Sequence, residues 1–193
     1  MENPNDYHPL IDRILSGEKQ AYSELYEKTI HPVYKTASFL IEDRADVDDL
    51  VQEIYIQVFK SLKKYDKHRP FKSWLMGIVM KQIQSYRRKR WMHLRIVKKT
   101  EAFKQTAVLD FSNEIVDKLT NQQLVELVNQ LPYKLQQVII LRYLNDFSQD
   151  EIARILEIPL GTVKSRINAA LNKLRADERG KKLLENVRNV YEY

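Results

Sequence analysis

The stretch that decides the fold of the second half of the chain is residues 148–174, SQDEIARILEIPLGTVKSRINAALNKL. Its start fits a helix-capping box, in which the Ser148 hydroxyl covers an early backbone N–H and Glu151 reaches back to Ser148. Gly161, two residues after a proline, predicts a tight turn, and Thr162 is the expected N-cap of a second helix. Two capped helices joined by a short turn are typical of a helix-turn-helix that reads duplex DNA. An ordinary helical hairpin with a solvated outer face is the alternative.

The second of these helices is expected to run to Arg175 with one apolar and one polar face. Val163, Ile167 and Leu174 share one side at about 100° per residue. The other side carries short or hydrogen-bonding side chains that can enter a major groove and meet base edges or phosphates. The residues predicted to contact DNA on this helix are Thr162, Lys164, Ser165, Arg166, Asn168, Ala169 and Asn172.

The composition of the 193-residue chain favours a soluble helical protein. Hydrophobic residues make up 44%, and only 4 Gly and 6 Pro interrupt a sequence rich in helix formers. The absence of cysteine excludes a disulfide scaffold and a thiolate metal site. Because no apolar segment resembles a signal peptide or a membrane span, we expect a cytoplasmic protein.

The charges are distributed unevenly, although the formal net charge is only +6. Residues 42–53 hold six carboxylates and one cation, whereas residues 67–99 hold eleven Lys or Arg and no acid. A basic run is often just a solvated face. A run of this length without a counter-charge favours a phosphate-binding surface.

Periodic apolar residues predict an all-α protein with two small helical domains joined by a linker. The expected helices cover residues 10–15, 21–39, 46–62, 73–90, 124–131 and 135–144, followed by the two helices of the helix-turn-helix. Weak periodicity after the fourth of these helices indicates a linker that can be partly helical. The predicted divisions are 1–92 for the first domain, 93–120 for the linker, 121–180 for the second domain and 181–193 for a tail.

Three motifs, in this order along the chain, resemble the extracytoplasmic-function (ECF) sigma factors, the smallest relatives of sigma-70. Residues 48–59, DDLVQEIYIQVF, are similar to the family's core-polymerase-binding helix. Residues 71–75, FKSWL, are similar to its promoter-melting segment, and residues 159–167, PLGTVKSRI, to its minus-35-reading helix. The resemblance covers the chain apart from the linker and the tail.

The resemblance implies a promoter-specificity subunit of RNA polymerase, with no catalytic residue, cofactor or metal of its own. Its partners would be core RNA polymerase, through the coiled coil of the largest subunit and the flap region, and promoter DNA. The residues implied to bind polymerase are Asp48, Asp49, Gln52, Glu53, Gln57 and Phe59. Those implied to hold the opening minus-10 element are Lys67, His68, Arg69, Lys72, Lys81, Gln82, Ser85, Tyr86, Arg88 and Arg90.

Tyr86 is the better candidate for nucleobase stacking, because Phe71 and Trp74 fit core positions better. The sequence departs from the family at Lys81, where relatives often carry Asn, and at residues 168–172, where the usual run is basic. By analogy with the family we also expect an anti-sigma partner, often membrane-anchored, and a role in stress response.

Two other classes of protein compete with this interpretation. A free-standing dimeric regulator would explain the helix-turn-helix but leave the acidic and basic segments without a purpose. An enzyme has little support, because the four histidines are scattered and no phosphate-binding loop or nucleophile–base pair occurs.

Overall fold

The computed structural model of the chain describes residues 7–41, 43–100 and 122–176, and all regular secondary structure in these ranges is helical. The helices form two compact units, which confirms the predicted all-α class. The first unit consists of α1 His8–Leu15, α2 Lys19–Leu40, α3 Arg44–Ser61, a 3-10 turn Leu62–Lys64 and α4 Phe71–Thr100. The helices in the second half of the chain are α5 Gln122–Asn129, α6 Tyr133–Ile139 with a π-helical turn Ile140–Leu144, α7 Gln149–Leu156 and α8 Leu160–Ala176.

The first unit is built around the apolar side of α3, which packs between α2 and α4. Each residue of the predicted apolar stripe on this helix is at most 4% exposed, and burial of one such side chain is worth about 1.5–3 kcal/mol. The stripe consists of Val47, Leu50, Val51, Ile54, Val58 and Leu62. The sequence prediction for this core is therefore confirmed.

Side chains make hydrogen bonds to backbone groups at the end of α2 and at the start of α3. The Asp43 carboxylate accepts a hydrogen bond from the backbone N–H of Ala45 (3.1 Å) and caps the start of α3. Arg87 donates to the carbonyl oxygen of Leu40 (3.0 Å), one of the last carbonyls of α2. A basic side chain of α4 thus holds the end of a neighbouring helix.

Aromatic rings fix the point where α4 begins. Phe71 is buried, and its ring centroid lies 4.9 Å from that of Tyr7, 5.5 Å from Tyr65 and 5.4 Å from Trp74. Phe71 is therefore a core residue, as expected, while Trp74 is half-buried at the edge of the same cluster.

Helix α4 continues beyond the predicted end at Arg90 and reaches Thr100, well into the predicted linker. No Gly or Pro follows Gly77 within this helix, so nothing in its sequence forces an earlier end. The rest of the linker, from residue 101 to 120, and the tail lie outside the described residues. The domain limits themselves remain predictions.

In the helix-turn-helix the capping box is confirmed. The Glu151 carboxylate accepts from the backbone N–H of Ser148 (2.9 Å), and the Ser148 hydroxyl oxygen accepts from the N–H of Glu151 (3.2 Å). The turn after α7 is made by Glu157, whose φ of 54° is left-handed, with the N–H of Ile158 donating to the carbonyl of Ala153 (3.0 Å). This arrangement is a common helix C-terminus.

Two predictions about this turn are wrong. Thr162 is not the N-cap, because α8 already begins at Leu160 and the N–H of Thr162 donates to the carbonyl of Pro159 (2.9 Å). Gly161 does not form the turn; it lies in the first turn of α8 without a positive φ. Proline lacks an N–H and has its φ preset near the helical value, so the chain becomes helical directly after Pro159.

Among the described residues, no helix combines the length and the apolar character that crossing a membrane requires.

Candidate nucleic-acid interface and docking surface

The outward face of α8 is the first candidate surface. Its polar residues are held outward because the opposite side of the helix, at Val163, Ile167, Ala170 and Leu174, is buried. Thr162 and Arg166 are half-buried at the margin of the face. Its exposed members are Lys164, Ser165, Asn168, Ala169 and Asn172. This mixture of small, amide and cationic side chains can approach a groove closely and exchange hydrogen bonds with bases and phosphates.

The second candidate surface begins with the loop before α4. Asp66 accepts from the backbone N–H of His68 (2.9 Å), and its own carbonyl accepts from the N–H of Arg69 (3.0 Å), which makes a compact turn. The Tyr65 hydroxyl donates to the Arg69 carbonyl. The side chain of Lys67 forms an ion pair with Asp12 of α1. Lys67, His68 and Arg69 therefore sit on an exposed but preshaped loop.

Along α4 the predicted minus-10 residues occupy two adjacent rows. Lys81, Ser85 and Arg88, at spacings of four and three, form an outer row whose two cations are exposed. Gln82, Tyr86 and Arg90, each four residues apart, form an inner row and are all half-buried. The sequence predicted one basic surface, and the structure divides it into these two rows. Lys72 is exposed near the start of the helix.

The inner row meets the N-terminal end of α3. The Tyr86 hydroxyl donates to the Asp46 carboxylate, and Arg90 Nη1 donates to the same Asp46 oxygen (2.7 Å) and to the Tyr86 hydroxyl (2.8 Å). A carboxylate oxygen of Asp43 lies 4.0 Å from Arg90 Nη1. Partial burial, followed by the hydrogen bond to Asp46, raises the pKa of Tyr86. We call Asp46, Tyr86 and Arg90 the Asp46 cluster.

The third candidate surface is the outward face of α3. Asp48, Asp49, Gln52 and Glu53 are exposed, as the sequence predicted for a docking helix. Farther along the helix the surface becomes apolar at Phe59, which is 56% exposed. Gln57 is half-buried and donates to the Ser61 hydroxyl (2.9 Å). An acidic end followed by an exposed aromatic side chain is a combination suited to a protein partner.

Phe59 is supported by a rigid aromatic layer. Its ring packs edge-on against Tyr22, with 5.2 Å between the centroids, and the Tyr22 hydroxyl donates to the Tyr55 carbonyl (2.6 Å). The Tyr55 hydroxyl in turn shares a hydrogen bond with Thr29 (2.8 Å). Burial, with a smaller contribution from Tyr26, raises the pKa of Tyr22 to about 12. The ring of Phe59 is thereby supported by side chains that are themselves held by hydrogen bonds.

Sequence reasoning missed two residues of these surfaces. Ile56 is 54% exposed and extends the apolar part of the α3 face, which its spacing of three from Phe59 and Glu53 could have indicated. Asp46 was counted with the other acids of residues 42–53, but its carboxylate turns toward α4. Nothing in the linear sequence distinguishes Asp46 from the outward acids.

No group of His, Asp or Glu side chains arranged to hold a metal ion occurs within residues 7–41, 43–100 and 122–176.

Comparison with protein families finds two matches, in the order that the motifs suggested. Residues 25–92 match the model of sigma-70 region 2, and residues 121–174 match that of sigma-70 region 4. The first range contains the α3 face and the α4 rows, and the second contains the whole helix-turn-helix.

Named relatives cover most of the chain. It is 26% identical over 182 residues to the ECF RNA polymerase sigma factor SigW of Bacillus subtilis, an alignment that spans 86% of this chain and 92% of SigW. It is 28% identical over 166 residues to the ECF RNA polymerase sigma-E factor of Escherichia coli K12, spanning 82% and 86% of the two chains.

Solved structures show the same fold. The sigma factor RpoE in complex with the anti-sigma factor NepR, from Bartonella quintana, superposes with a TM-score of 0.67 at 22% identity over 80% of this chain and 94% of that one. CnrH in complex with the cytosolic domain of CnrY gives a TM-score of 0.61 at 23% identity over 92% and 96%.

Proposed function

The chain belongs to the ECF sigma factors of the sigma-70 family and is an alternative sigma factor, and from that premise we propose which of its surfaces performs each step of initiation. The observation that carries the proposal is that one chain holds both family regions in order, each with an exposed surface of suitable chemistry. Run-off transcription with purified core polymerase is the direct test. The proposal fails if the protein neither binds core polymerase nor directs initiation at any promoter.

The outward face of α8 reads the minus-35 element as duplex DNA. Lys164, Ser165 and Asn168 are exposed within the first three turns of the helix, where a recognition helix contacts base edges. We expect alanine at these three positions to weaken minus-35 discrimination while leaving core binding intact. Lys134→Ala is the matched control, because Lys134 is an exposed cation of α6 and is not part of the outward face of α8. Equal loss of discrimination in the control and the triple variant would refute the assignment.

The loop before α4 and the outer row of α4 hold the minus-10 element as it opens. Lys81 and Arg88 of the outer row are separated by seven residues, or about 10 Å along the helix axis, on the same side of α4. At about 3.4 Å per nucleotide this length matches about three nucleotides of a DNA strand. Cations spaced along that length can track the phosphates of a separated strand.

Arg88→Ala tests this assignment. It should slow the appearance of permanganate-reactive thymines in the minus-10 element and reduce the salt dependence of promoter binding. Opening at the wild-type rate with an unchanged salt slope would count against a role for the outer row.

The outward face of α3 docks on core polymerase. Its carboxylates at Asp48, Asp49 and Glu53 can make charge-assisted hydrogen bonds, while Ile56 and Phe59 supply apolar area. Charge gives orientation and association rate, and the apolar part gives most of the affinity. We expect Asp49→Asn and Phe59→Ala each to weaken core binding in a titration of labelled core polymerase.

The same α3 face, with its exposed apolar side chains, is a suitable target for an inhibitory protein. Since RpoE of Bartonella quintana forms a complex with the anti-sigma factor NepR, we propose an anti-sigma partner for this chain as well. Co-purification from native cells tests the idea. Recovery of core polymerase alone under every growth condition would contradict it.

A further inference from the structure

The acidic side chains near the start of α3 point in two different directions. Asp48 and Asp49 are exposed, whereas Asp46, only two residues earlier, is half-buried with its carboxylate hydrogen-bonded to Tyr86 and Arg90 of α4. Asp43 adds a second carboxylate 4.0 Å from the Arg90 guanidinium. One end of the proposed docking helix therefore touches the inner row of the proposed DNA-binding helix.

We propose that Asp46 is a positioning residue for promoter opening: it holds the Arg90 guanidinium and the Tyr86 hydroxyl of α4 in the orientation in which they meet the minus-10 strand. The inference rests on the proposed function, because it assumes that α4 contacts that strand. It assigns to Asp46 a role different from polymerase docking.

The geometry favours positioning over docking. The Asp46 oxygen accepts hydrogen bonds from two α4 side chains at once, so it faces α4. Arginine loses much rotamer freedom when it is held in one place, and an arginine already held by a carboxylate pays less of that cost when DNA binds. A guanidinium carries five N–H donors, so a bond from Nη1 to Asp46 is compatible with a phosphate at another edge.

The cluster is not required to hold the two helices together. The buried stripe of α3 already packs against α4, and an ion pair whose side chains are 38% and 39% exposed adds little to stability. What the cluster does determine is the direction of two long side chains at the end of the inner row. A substitution at Asp46 should therefore change the orientation of the Arg90 side chain more than it changes the fold.

The experiment compares Asp46→Asn with Asp49→Asn in holoenzyme assembled from core polymerase and the full chain. Each variant removes one negative charge from the same helix, so effects of net charge cancel in the comparison. We expect Asp46→Asn to bind core polymerase like wild type and, at saturating holoenzyme, to open the promoter about fivefold more slowly. Asp49→Asn should do the reverse, with weaker core binding and normal opening once saturated.

A double-mutant cycle with Arg90→Ala separates positioning from other roles. If Asp46 acts through Arg90 and Tyr86, Asp46→Asn slows opening less in the Arg90→Ala background than in the wild-type chain. Arg90→Lys provides a second test that leaves Asp46 in place. It keeps the cation but not the planar fork, and it should slow opening about as much as Asp46→Asn.

Several results would overturn the inference. One is that Asp46→Asn weakens core binding as much as Asp49→Asn does. Another is that the effects of Asp46→Asn and Arg90→Ala on the rate of promoter opening are additive. A third is that Arg90→Lys opens the promoter at the wild-type rate. Thermal unfolding of each variant shows whether it is folded. If Asp46→Asn does not fold, the opening rate of Arg90→Lys tests the inference instead. Failure of the wild-type holoenzyme to initiate would instead refute the proposed function, so the two failures are distinguishable.

Discussion

Replacement of Phe59 by alanine should separate core binding from stability. The residue is 56% exposed, and a phenylalanine presents about 200 Å² of surface, which leaves about 110 Å² for a partner to cover. At about 25 cal/mol per Å², complete burial of that area is worth about 2.8 kcal/mol. This is an upper bound, because ordering and desolvation costs reduce what appears as affinity. We therefore expect the Kd for core polymerase to rise between about tenfold and about a hundredfold.

The folded protein should tolerate this change. Phe59 loses one edge-on contact with Tyr22, which is worth about 1 kcal/mol, and the buried stripe of α3 is untouched. The assay is a fluorescence titration of core polymerase, accompanied by thermal unfolding of the free chain. Leu15→Ala is a matched control, since Leu15 of α1 is 42% exposed and lies outside the proposed docking face. The reasoning is refuted if folded Phe59→Ala binds core polymerase as tightly as wild type.

Three further predictions concern stability, measured by chemical denaturation. Gly161→Ala should raise the free energy of unfolding by about 0.5–1 kcal/mol, because the residue is helical and an added Cβ meets no atom within 4 Å; a loss would show that the glycine is needed. Ser148→Ala should lower it by about 1 kcal/mol through loss of the capping box, and an unchanged midpoint would contradict that. Hydrogen bonds from Arg13 hold the pKa values of Glu18 and Glu24 below the ordinary 4.5. The stability that these two ionised carboxylates add is therefore present above about pH 5 and lost on acidification. Arg13→Gln should therefore be less stable than wild type near neutral pH, with a difference that shrinks toward pH 3; a difference independent of pH would exclude this origin.

Periodic patterns predicted the helices well where one face is buried against a single core. The α3 stripe and the inward side of α8 follow the 3.6-residue repeat, so their burial could be read from spacing alone. The capping box at Ser148 was equally visible, because its partners are three residues apart and need no tertiary contact. Such local features depend on the chain's own geometry.

The turn of the helix-turn-helix was harder to predict, since several residues there can perform the same task. The pattern indicated Gly161 and Thr162, whereas the left-handed residue is Glu157 and the first helical carbonyl acceptor is Pro159. A non-glycine residue at positive φ costs little when the hydrogen bonds around it compensate, and composition does not reveal that compensation.

By itself the sequence determined the helical class, the order of the two regions and the segregation of acidic and basic residues between α3 and α4. Those properties follow from periodicity, local capping and composition. Only the tertiary structure decided which charges face outward and which face each other. Asp46 and Arg90 are 44 residues apart in the chain, but Asp46 Oδ2 lies 2.7 Å from Arg90 Nη1 in the fold. Asp49, with the same side chain as Asp46, faces solvent. The reason is geometric: Asp46 and Asp49 are only about 60° apart around α3, and no pattern on one helix shows where its neighbour lies.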